Sequence, residues 1–122
     1  MFLFSFEYEH LLKNEYFKTD KLFNFHFSLL PKYRGCHTNF YQIFNGEKIS
    51  GVTLHKIDSG IDTGDIIDNI AFKIKKNDTA YQNYLRLMRY SFLLFKTNFN
   101  RIIKGNYKLK KQNLKKGSYF SR

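Results

Sequence analysis

Apolar residues along this chain fall into four short runs that predict β-strands. The run at residues 1–6 is continuous, which is typical of a strand covered on both faces. The run at 22–27 places phenylalanines on one face and two polar residues on the other, because successive side chains of a strand point to opposite faces. The runs at 52–57 and 66–74 are rich in β-branched residues, which favour strands.

Between these runs, apolar residues spaced three and four apart predict two short helices. Residues 7–17 carry this spacing over one or two turns. Residues 36–44 carry it as far as Asn45-Gly46, a pair that can end a helix in the left-handed conformation. We expect the inner face of this second helix to consist of Phe40, Ile43 and Phe44.

The longest helix is predicted over residues 80–104. Thr79 and Gln82 form a capping box at its start, and Gly105 follows its end. At 1.5 Å per residue such a helix is roughly 38 Å long, enough to cross a whole sheet. We expect its apolar stripe to pack on the core, and this stripe consists of Leu85, Met88, Phe92, Phe95, Phe99 and Ile102.

Together these elements predict an α/β fold with a mostly parallel sheet and a long C-terminal helix. A strand, a short helix and a second strand form a crossover, which joins parallel strands. We assign residues 1–105 to one domain and residues 106–122, which are rich in lysine and irregular, to a basic linker or tail. A chain of 122 residues is long enough for one domain or for part of one.

The charge balance is strongly basic, with 21 Lys and Arg against 10 Asp and Glu and a formal net charge of +11. Such a charge suits nucleic acid, a phosphorylated substrate or a membrane surface. The lysines are scattered and no basic helix carries base-reading side chains, which argues against nucleic acid. The single cysteine, Cys36, excludes an internal disulfide and fits a cytoplasmic protein. No window predicts a signal peptide or a membrane span, so we expect a soluble protein.

Asn24 and His26 lie near the carboxyl end of the second predicted strand, where open α/β sheets bind ligands. An amide donor, an imidazole and the carboxylate of Asp62 suit acyl transfer, in which an oxyanion is stabilised and the attacking amine loses a proton. No serine or cysteine nucleophile stands in a recognisable setting. The sequence therefore favours direct attack by the acceptor.

Two plainer interpretations stay open at this point. Asn24 and His26 can be strand residues that bond to loop backbone, as most buried polar groups do. A metal site is less favoured, because no pair among the four histidines has the i, i+4 spacing of a helical metal motif; they are His10, His26, His37 and His55. We expect no metal.

Several separated motifs resemble the formyltransferase superfamily, which uses 10-formyltetrahydrofolate as co-substrate. They are, in chain order, Phe4-Ser5-Phe6-Glu7-Tyr8-Glu9-His10, Asn24-Phe25-His26-Phe27-Ser28-Leu29-Leu30-Pro31-Lys32-Tyr33-Arg34-Gly35, Asn45-Gly46-Glu47, Gly51-Val52-Thr53-Leu54-His55 and Ile61-Asp62-Thr63-Gly64-Asp65. The first and fourth motifs are most similar to the sugar N-formyltransferases of surface-glycan biosynthesis. The resemblance implies a partial Rossmann-like domain that formylates the amine of a UDP- or dTDP-linked amino sugar.

The resemblance also implies a role for each matching residue. Asn24 would hold the formyl oxygen as it becomes an oxyanion, His26 would handle the proton beside it, and Asp62 would set the charge of His26 and help to accept the amine's proton. Lys32 and Arg34 would meet the phosphates of the sugar nucleotide, or lie in solvent as loop charges. The pterin pocket would be formed by His10, Leu11 and Leu12 and by a closing loop of Asp58, Ser59, Gly60, Ile61 and Asp62.

The chain departs from the family pattern in two respects. Cys36 stands where some relatives place a nucleotide-contacting arginine, which leaves the sugar nucleotide open. Elements that precede the first motif in the family, and a module that follows the last, have no counterpart here, so we expect a fragment. We expect the isolated chain to be poorly stable, because the strand at residues 2–6 would expose an unpaired edge and an apolar face.

Two other functions stay open. An enzyme like methionyl-tRNA formyltransferase shares the Ser-Leu-Leu-Pro motif and would use the positive charge against tRNA phosphates. A truncated remnant would keep the motifs without turnover. For the assembly, a homodimer and a complementing N-terminal segment are both compatible with the sequence.

Overall fold

A four-stranded mixed sheet forms the centre of the molecule. The computed structural model describes residues 1–8 and 10–121. In chain order, its elements are β1 (Leu3–Phe6), β2 (Leu22–His26), β3 (Arg34–Gly35), α1 (Thr38–Phe44), β4 (Ile49–Lys56), β5 (Ile66–Lys73), α2 (Ala80–Ile103) and β6 (Tyr119–Phe120). The sheet has the strand order β1-β2-β4-β5, and β3 pairs separately with β6.

The α/β fold class is confirmed, and each of the four predicted runs contains a strand of the sheet. In this sheet β1 and β2 are parallel, whereas β2 pairs with β4 and β4 with β5 in antiparallel fashion. The prediction of a mostly parallel sheet was therefore wrong for the described residues. The connection between β4 and β5, residues 57–65, contains no helix and is too short for the crossover that parallel neighbours need.

The two faces of β2 differ as predicted. Phe23 and Phe25 are fully buried and belong to a core that also contains Leu87 of α2. Asn24 and His26 point to the opposite face of the strand. The antiparallel register places Asn24 opposite His55 of β4. One face of β2 therefore builds the core, and the other carries polar groups from two strands.

The long helix α2 begins at the predicted capping box. Thr79 Oγ1 accepts a hydrogen bond from Gln82 N, and the side chain of Gln82 accepts one from Thr79 N. The buried face of the helix, however, consists of Asn83, Leu87, Ser91, Leu94, Asn98 and Ile102. In the predicted stripe, Ile102 is buried and Phe95 packs against the core, whereas four residues are exposed: Leu85, Met88, Phe92 and Phe99.

Polar side chains on the buried face of α2 explain why the predicted stripe was largely wrong. Asn83 donates to the carbonyl oxygen of Asn39 at 3.1 Å and to Gln42 Oε1 at 3.0 Å. Asn98 donates to Asp68 Oδ2 at 2.9 Å. Because a buried polar group costs little once it is hydrogen-bonded, these residues occupy positions that an apolar pattern assigns to leucine or phenylalanine.

The helix α1 shows the same reversal. Its buried residues are Thr38 and Gln42, and both donate to the carbonyl oxygen of Phe27, at 2.8 and 2.9 Å. Phe40 and Phe44, predicted to face inward, are 48% and 74% exposed. The helix therefore packs through hydrogen bonds to the loop that follows β2.

The segment between β1 and β2 contains a 3-10 turn at Asn14–Tyr16 in place of the predicted helix over residues 7–17, of which Glu9 lies outside the described residues. Within the described part of the chain, β1 is an edge strand that pairs with β2 alone. The rings of Phe4 and Phe6 pack on Phe95 of α2 with centroid distances of 5.3 and 5.7 Å. One face of β1 is therefore covered by α2.

Residues 106–121 lie against the sheet. Lys110 forms a bridge with Ile66, and the ring of Tyr107 packs on Phe23 with a centroid distance of 5.9 Å. Farther along, β6 pairs with β3 in parallel register. The domain boundary at residue 105 stays a prediction. In the part of the chain that the structure describes, no helix is both long and apolar enough to span a membrane.

Candidate active site

A cavity of about 190 Å³ lies over the polar face of β2. Asn24, His26 and Asp62 all line it. The Oδ1 atom of Asp62 lies 3.5 Å from both Asn24 Nδ2 and His26 Nδ1, so the three predicted catalytic groups lie in one place. The predicted pocket residues that also line the cavity are His10, Leu11, Leu12, Asp58, Gly60 and Ile61. Within residues 1–8 and 10–121, no cluster of three or more His, Cys, Asp or Glu side chains is arranged to hold a metal ion.

His26 is buried, and both of its ring nitrogens have partners. Nε2 lies 2.6 Å from the carbonyl oxygen of Tyr33 and therefore carries a proton, because a carbonyl only accepts. Nδ1 lies 3.3 Å from Glu7 Oε1 and 3.5 Å from Asp62 Oδ1. Burial lowers the pKa of His26, but the charges of Asp62 and Glu7 and the bond to Tyr33 outweigh burial and raise the pKa to about 9. At neutral pH His26 is therefore a charged donor and not a base.

Asp62 is held as an ionised carboxylate. Its Oδ2 accepts from Gly35 N at 2.9 Å, and its Oδ1 lies 3.7 Å from His55 Nε2. Burial raises the pKa of Asp62, but the charge of His26, the neighbouring His55 ring and the hydrogen bond from Gly35 N outweigh burial and lower the pKa to about 2. Gln112 Nε2 donates to the carbonyl oxygen of Asp62 at 3.0 Å and fixes the backbone of the loop.

The carboxamide of Asn24 is oriented by His55. The Nδ1 atom of His55 lies 2.8 Å from the carbonyl oxygen of Lys56 and carries the proton, so Nε2 accepts from Asn24 Nδ2 at 3.2 Å. The second contact of Nδ2, with Asp62 Oδ1 at 3.5 Å, is at the limit of a hydrogen bond and holds the other amide hydrogen only weakly. Asn24 Oδ1 is buried and has no hydrogen-bond partner among the described residues.

The residues around His26 have an uncommon backbone conformation. Glu7, Tyr33 and Asp62 supply the oxygen atoms that face the ring nitrogens, and their φ angles are 49°, 57° and 55°. Residues other than glycine rarely adopt this left-handed region. Such positions cost free energy and cluster at functional sites. The surroundings of His26 therefore have the strain that is typical of a catalytic centre.

Four other residues named from the sequence lie in different environments. Lys32 lines a second cavity together with Glu47. Ser59 is exposed to solvent, whereas Cys36 lines the first cavity. Arg34 lies beside the Asp62 loop, where its Nη1 donates to the carbonyl oxygen of Ile61 at 3.4 Å. Its guanidinium group also stacks over the ring of Tyr119 at 5.6 Å.

Four residues of the site were missed from the sequence: Glu7, Tyr33, His55 and Gln112. His55 had a detectable signal, because an antiparallel pairing of β2 and β4 would have placed it opposite Asn24. Gln112 lies in the segment that was assigned to a linker. Glu7 and Tyr33 act through backbone conformations that their residue types do not favour.

We compared the chain with family models and with solved structures. The family model described as "Formyl transferase" matches residues 7–91. WlaRD, a sugar 3N-formyl transferase solved in the presence of dTDP and 5-N-formyl-THF, superimposes with a TM-score of 0.96 and 50% identity over 100% of this chain. The N-formyltransferase from Helicobacter canadensis, solved with folinic acid and dTDP-3-aminofucose, has a TM-score of 0.94 and 54% identity over 98% of this chain.

Curated relatives agree with the solved structures. The bifunctional polymyxin resistance protein ArnA of Wigglesworthia glossinidia brevipalpis is 40% identical over 105 residues, which are 84% of this chain and 16% of ArnA. The methionyl-tRNA formyltransferase of Clostridium tetani is 39% identical over 80% of this chain and 32% of its own length. This chain spans 44% of each of the two solved structures. As its motifs predict, the chain belongs to the formyl transferase family.

Proposed function

We propose that this chain carries the catalytic site of a sugar N-formyltransferase, which moves a formyl group from 10-formyltetrahydrofolate to the amine of a dTDP- or UDP-linked amino sugar. The observation that carries the proposal is the meeting of Asn24, His26 and Asp62 in one cavity over β2. The two solved relatives, at 50% and 54% identity, hold 5-N-formyl-THF or folinic acid together with dTDP or a dTDP sugar, which supports the same pair of substrates here.

The amide of Asn24 and the positive charge of His26 would stabilise the charge that develops during the transfer. As the amine attacks, the formyl oxygen becomes negative, and fixed donors aimed at such an oxygen lower the barrier. His26 lines the cavity and carries a positive charge, which would stabilise the negative oxygen electrostatically while its own N–H groups stay bonded to Tyr33 and to the two carboxylates. Asn24 Nδ2 would donate to the same oxygen by giving up its weak 3.5 Å contact with Asp62 Oδ1. Asn24 and His26 together would therefore form the oxyanion site.

Asp62 would accept the proton that the amine loses. A carboxylate with a pKa of about 2 is a weak base, but the amine nitrogen becomes strongly acidic once it is bonded to the formyl carbon. The transfer forms one C–N bond and breaks the C–N bond to the folate. The released folate nitrogen gains a proton, for which the charged imidazole of His26 is the donor at hand. This division of roles assigns the base to Asp62 and the acid to His26.

The cavity fits the head of a folate. Its walls combine apolar side chains, among them Leu11, Leu12 and Ile61, with the loop around Asp58 and Gly60. A flat heterocycle needs apolar faces and a few polar groups at its edge, and backbone atoms of a loop can supply the latter. Its volume of about 190 Å³ is below the roughly 300–1,000 Å³ of sites for whole drug-sized ligands, which suits the bicyclic part of the molecule.

Arg34 is the better placed of the two cations predicted for the sugar nucleotide. It lies beside the Asp62 loop, and its Nε is buried without a hydrogen-bond partner in the described part of the chain. We propose that Arg34 binds a phosphate of the substrate. Lys32, in the second cavity, would add a more distant positive charge.

Methionyl-tRNA formyl transfer is the second candidate, supported by the 39% identity to the Clostridium tetani enzyme and by the net charge of +11. The higher identity to the solved sugar N-formyltransferases favours an amino sugar. The two candidates differ in salt dependence. Binding to tRNA would weaken steeply between low and high salt, because phosphate contacts release counterions, whereas a single sugar nucleotide predicts a shallow dependence.

The test combines binding with turnover. The 122-residue polypeptide would be titrated with folinic acid, then incubated with 10-formyltetrahydrofolate and a panel of dTDP- and UDP-linked amino sugars. We expect folinic acid to bind and one of these amines to be formylated, with turnover abolished in Asn24→Ala and His26→Ala. Folinic acid binding with turnover no better than in these two variants would instead support an inactive remnant.

A further inference from the structure

Glu7 lies where β1 ends, and one of its oxygen atoms contacts both the last residue of β2 and the residue that follows it. Its Oε1 accepts a hydrogen bond from Phe27 N at 2.7 Å. The same atom lies 3.3 Å from His26 Nδ1. Glu7 also lines the cavity. A single carboxylate oxygen thus connects the end of β1 to the backbone after β2 and to the imidazole.

The conformation of Glu7 brings its side chain to this place. Residue 7 follows the last residue of β1 and has a φ of 49°, in the left-handed region. For a residue other than glycine this conformation costs free energy, and it persists only where the surrounding structure imposes it. The bond to Phe27 N is one contact that imposes it.

We propose that Glu7 is a positioning residue of the formyl-transfer site, a second carboxylate that acts with Asp62 to hold the His26 imidazole in place and in its charged form. The proposal rests on the proposed function of that site. Nε2 of His26 is fixed by the carbonyl oxygen of Tyr33. Nδ1 faces Glu7 and Asp62 at 3.3 and 3.5 Å, and a proton on Nδ1 lies between two negative charges.

Glu7 and Asp62 are held in place by different parts of the molecule. Asp62 is held by Gly35 N of β3 and faces His55 of β4 as well as His26, so its position depends on β3 and β4. Glu7 follows β1 and is held by Phe27 N. Nδ1 of the imidazole therefore contacts two carboxylates that are held by different parts of the fold. Removal of either carboxylate would leave one opposite charge near Nδ1 and reduce the preference for the charged form.

The experiment measures the titration of His26 by NMR in ring-labelled protein, which needs no substrate and is independent of turnover. Glu7→Gln is the informative variant, because the amide oxygen still accepts from Phe27 N while the charge is lost. We expect the midpoint of the His26 titration to fall by roughly one pH unit. Glu15→Gln is the matched control: Glu15 is an exposed acid whose recorded ion pair is a 3.9 Å contact with Lys13, and its loss should leave the midpoint unchanged.

Two further results would overturn the proposal or support it. If Glu7→Gln does not fold, the carboxyl carbon of Glu7 in the wild-type protein should still change its chemical shift at the pH where His26 loses its proton. A chemical shift that does not change at that pH overturns the pairing.

In an active chain, the fall of kcat/KM at alkaline pH should move to lower pH in Glu7→Gln. A folded variant with an unchanged His26 midpoint, or an unmoved alkaline limb, would contradict the role assigned to Glu7.

Discussion

The imidazole of His55 accepts a hydrogen bond from the carboxamide of Asn24, with 3.2 Å between Nε2 and Nδ2. The two residues are opposite each other in the antiparallel pairing of β2 and β4. The other ring nitrogen of His55 is fixed by the carbonyl oxygen of Lys56. The sheet register therefore orients the amide of Asn24 before any ligand binds, which is the kind of preorganisation that an oxyanion site requires.

Replacing His55 with leucine should remove this orientation. We expect kcat for formyl transfer to fall by roughly 10- to 100-fold, since small misplacements of a catalytic group have effects of that order, while the KM for the amino sugar changes little. Steady-state kinetics would measure both. His37→Asn is the control, because His37 is exposed and asparagine tolerates its left-handed backbone. A large rise in KM with kcat preserved would show that His55 binds substrate instead.

The stability of the folded chain should depend on pH at both ends of the range. The pKa of His26 is raised from 6.5 to about 9, so its contribution is fully present below pH 6.5 and is lost as the pH rises through about 9. The pKa of Asp62 is lowered from 3.8 to about 2, so its contribution is present above pH 3.8 and is lost as the pH falls through about 2. We expect a plateau between these limits.

Urea unfolding at a series of pH values would measure this dependence. The loss on the alkaline side should be on the order of a few kcal/mol for the free energy of unfolding. His26→Gln has no charge to lose and should show a smaller alkaline decline than the wild-type protein. An equal decline in both proteins would assign the effect to the tyrosines and lysines.

The two faces of α2 should respond differently to substitution. Leu87 is fully buried, so Leu87→Ala should cost about 2–5 kcal/mol of unfolding free energy. Phe92 is 57% exposed, and Phe92→Ser should change the same quantity by only about 0.5 kcal/mol. Urea unfolding with trimethylamine oxide in every sample, which strengthens the folded state, would measure both variants. A larger loss of unfolding free energy in Phe92→Ser than in Leu87→Ala would instead support the buried stripe predicted from the sequence.

The same helix illustrates what the sequence can predict. Its length and its start follow from local chemistry, because the capping box of Thr79 and Gln82 needs no tertiary partner. Its buried face does not follow from local chemistry, because Asn83 and Asn98 are buried only where side chains of other elements form hydrogen bonds with them. Those partners, Gln42 and Asp68, lie far away in the sequence. Apolar periodicity cannot anticipate them.

The candidate site likewise contains residues that the sequence predicts and residues that it does not. Asn24 and His26 share a face of β2 because strand geometry requires it, and Asp62 followed from the chemistry of its carboxylate and from the resemblance to known motifs. The contact of His55 with Asn24 requires β4 to run antiparallel to β2, whereas the sequence predicted mostly parallel strands. The contact of Glu7 with His26 depends on a left-handed backbone conformation at residue 7, which residues other than glycine rarely adopt. Strand patterns predict which side chains share a face, whereas strand pairing and backbone strain decide which of them meet.

Gly35→Ala should disturb the placement of Asp62. Gly35 has a φ of 102°, its N–H donates to Asp62 Oδ2, and a Cβ atom there would lie 2.1 Å from the carbonyl oxygen of Phe120. We expect a loss of more than about 1 kcal/mol of stability and a weaker binding of folinic acid. Gly46→Ala is the matched control, because Gly46 also has a positive φ of 69° but has open space around it. Equal effects of the two substitutions on folinic acid binding would refute the explanation.

The 122-residue polypeptide, expressed by itself, is expected to unfold at a lower temperature than intact domains do and to associate with other copies. The outer edge of β1 has no strand partner among the described residues, and Phe6, Phe92 and Phe99 are 42%, 57% and 39% exposed beside it or along α2. An open strand edge next to exposed apolar surface promotes association with other chains. Circular dichroism during heating, with light scattering at several protein concentrations, would detect both effects. Phe92→Lys should reduce the association without changing the fold, because residue 92 is outside the core. A single cooperative transition in the range of roughly 45–65 °C that is usual for intact domains, with no dependence on concentration, would contradict this expectation.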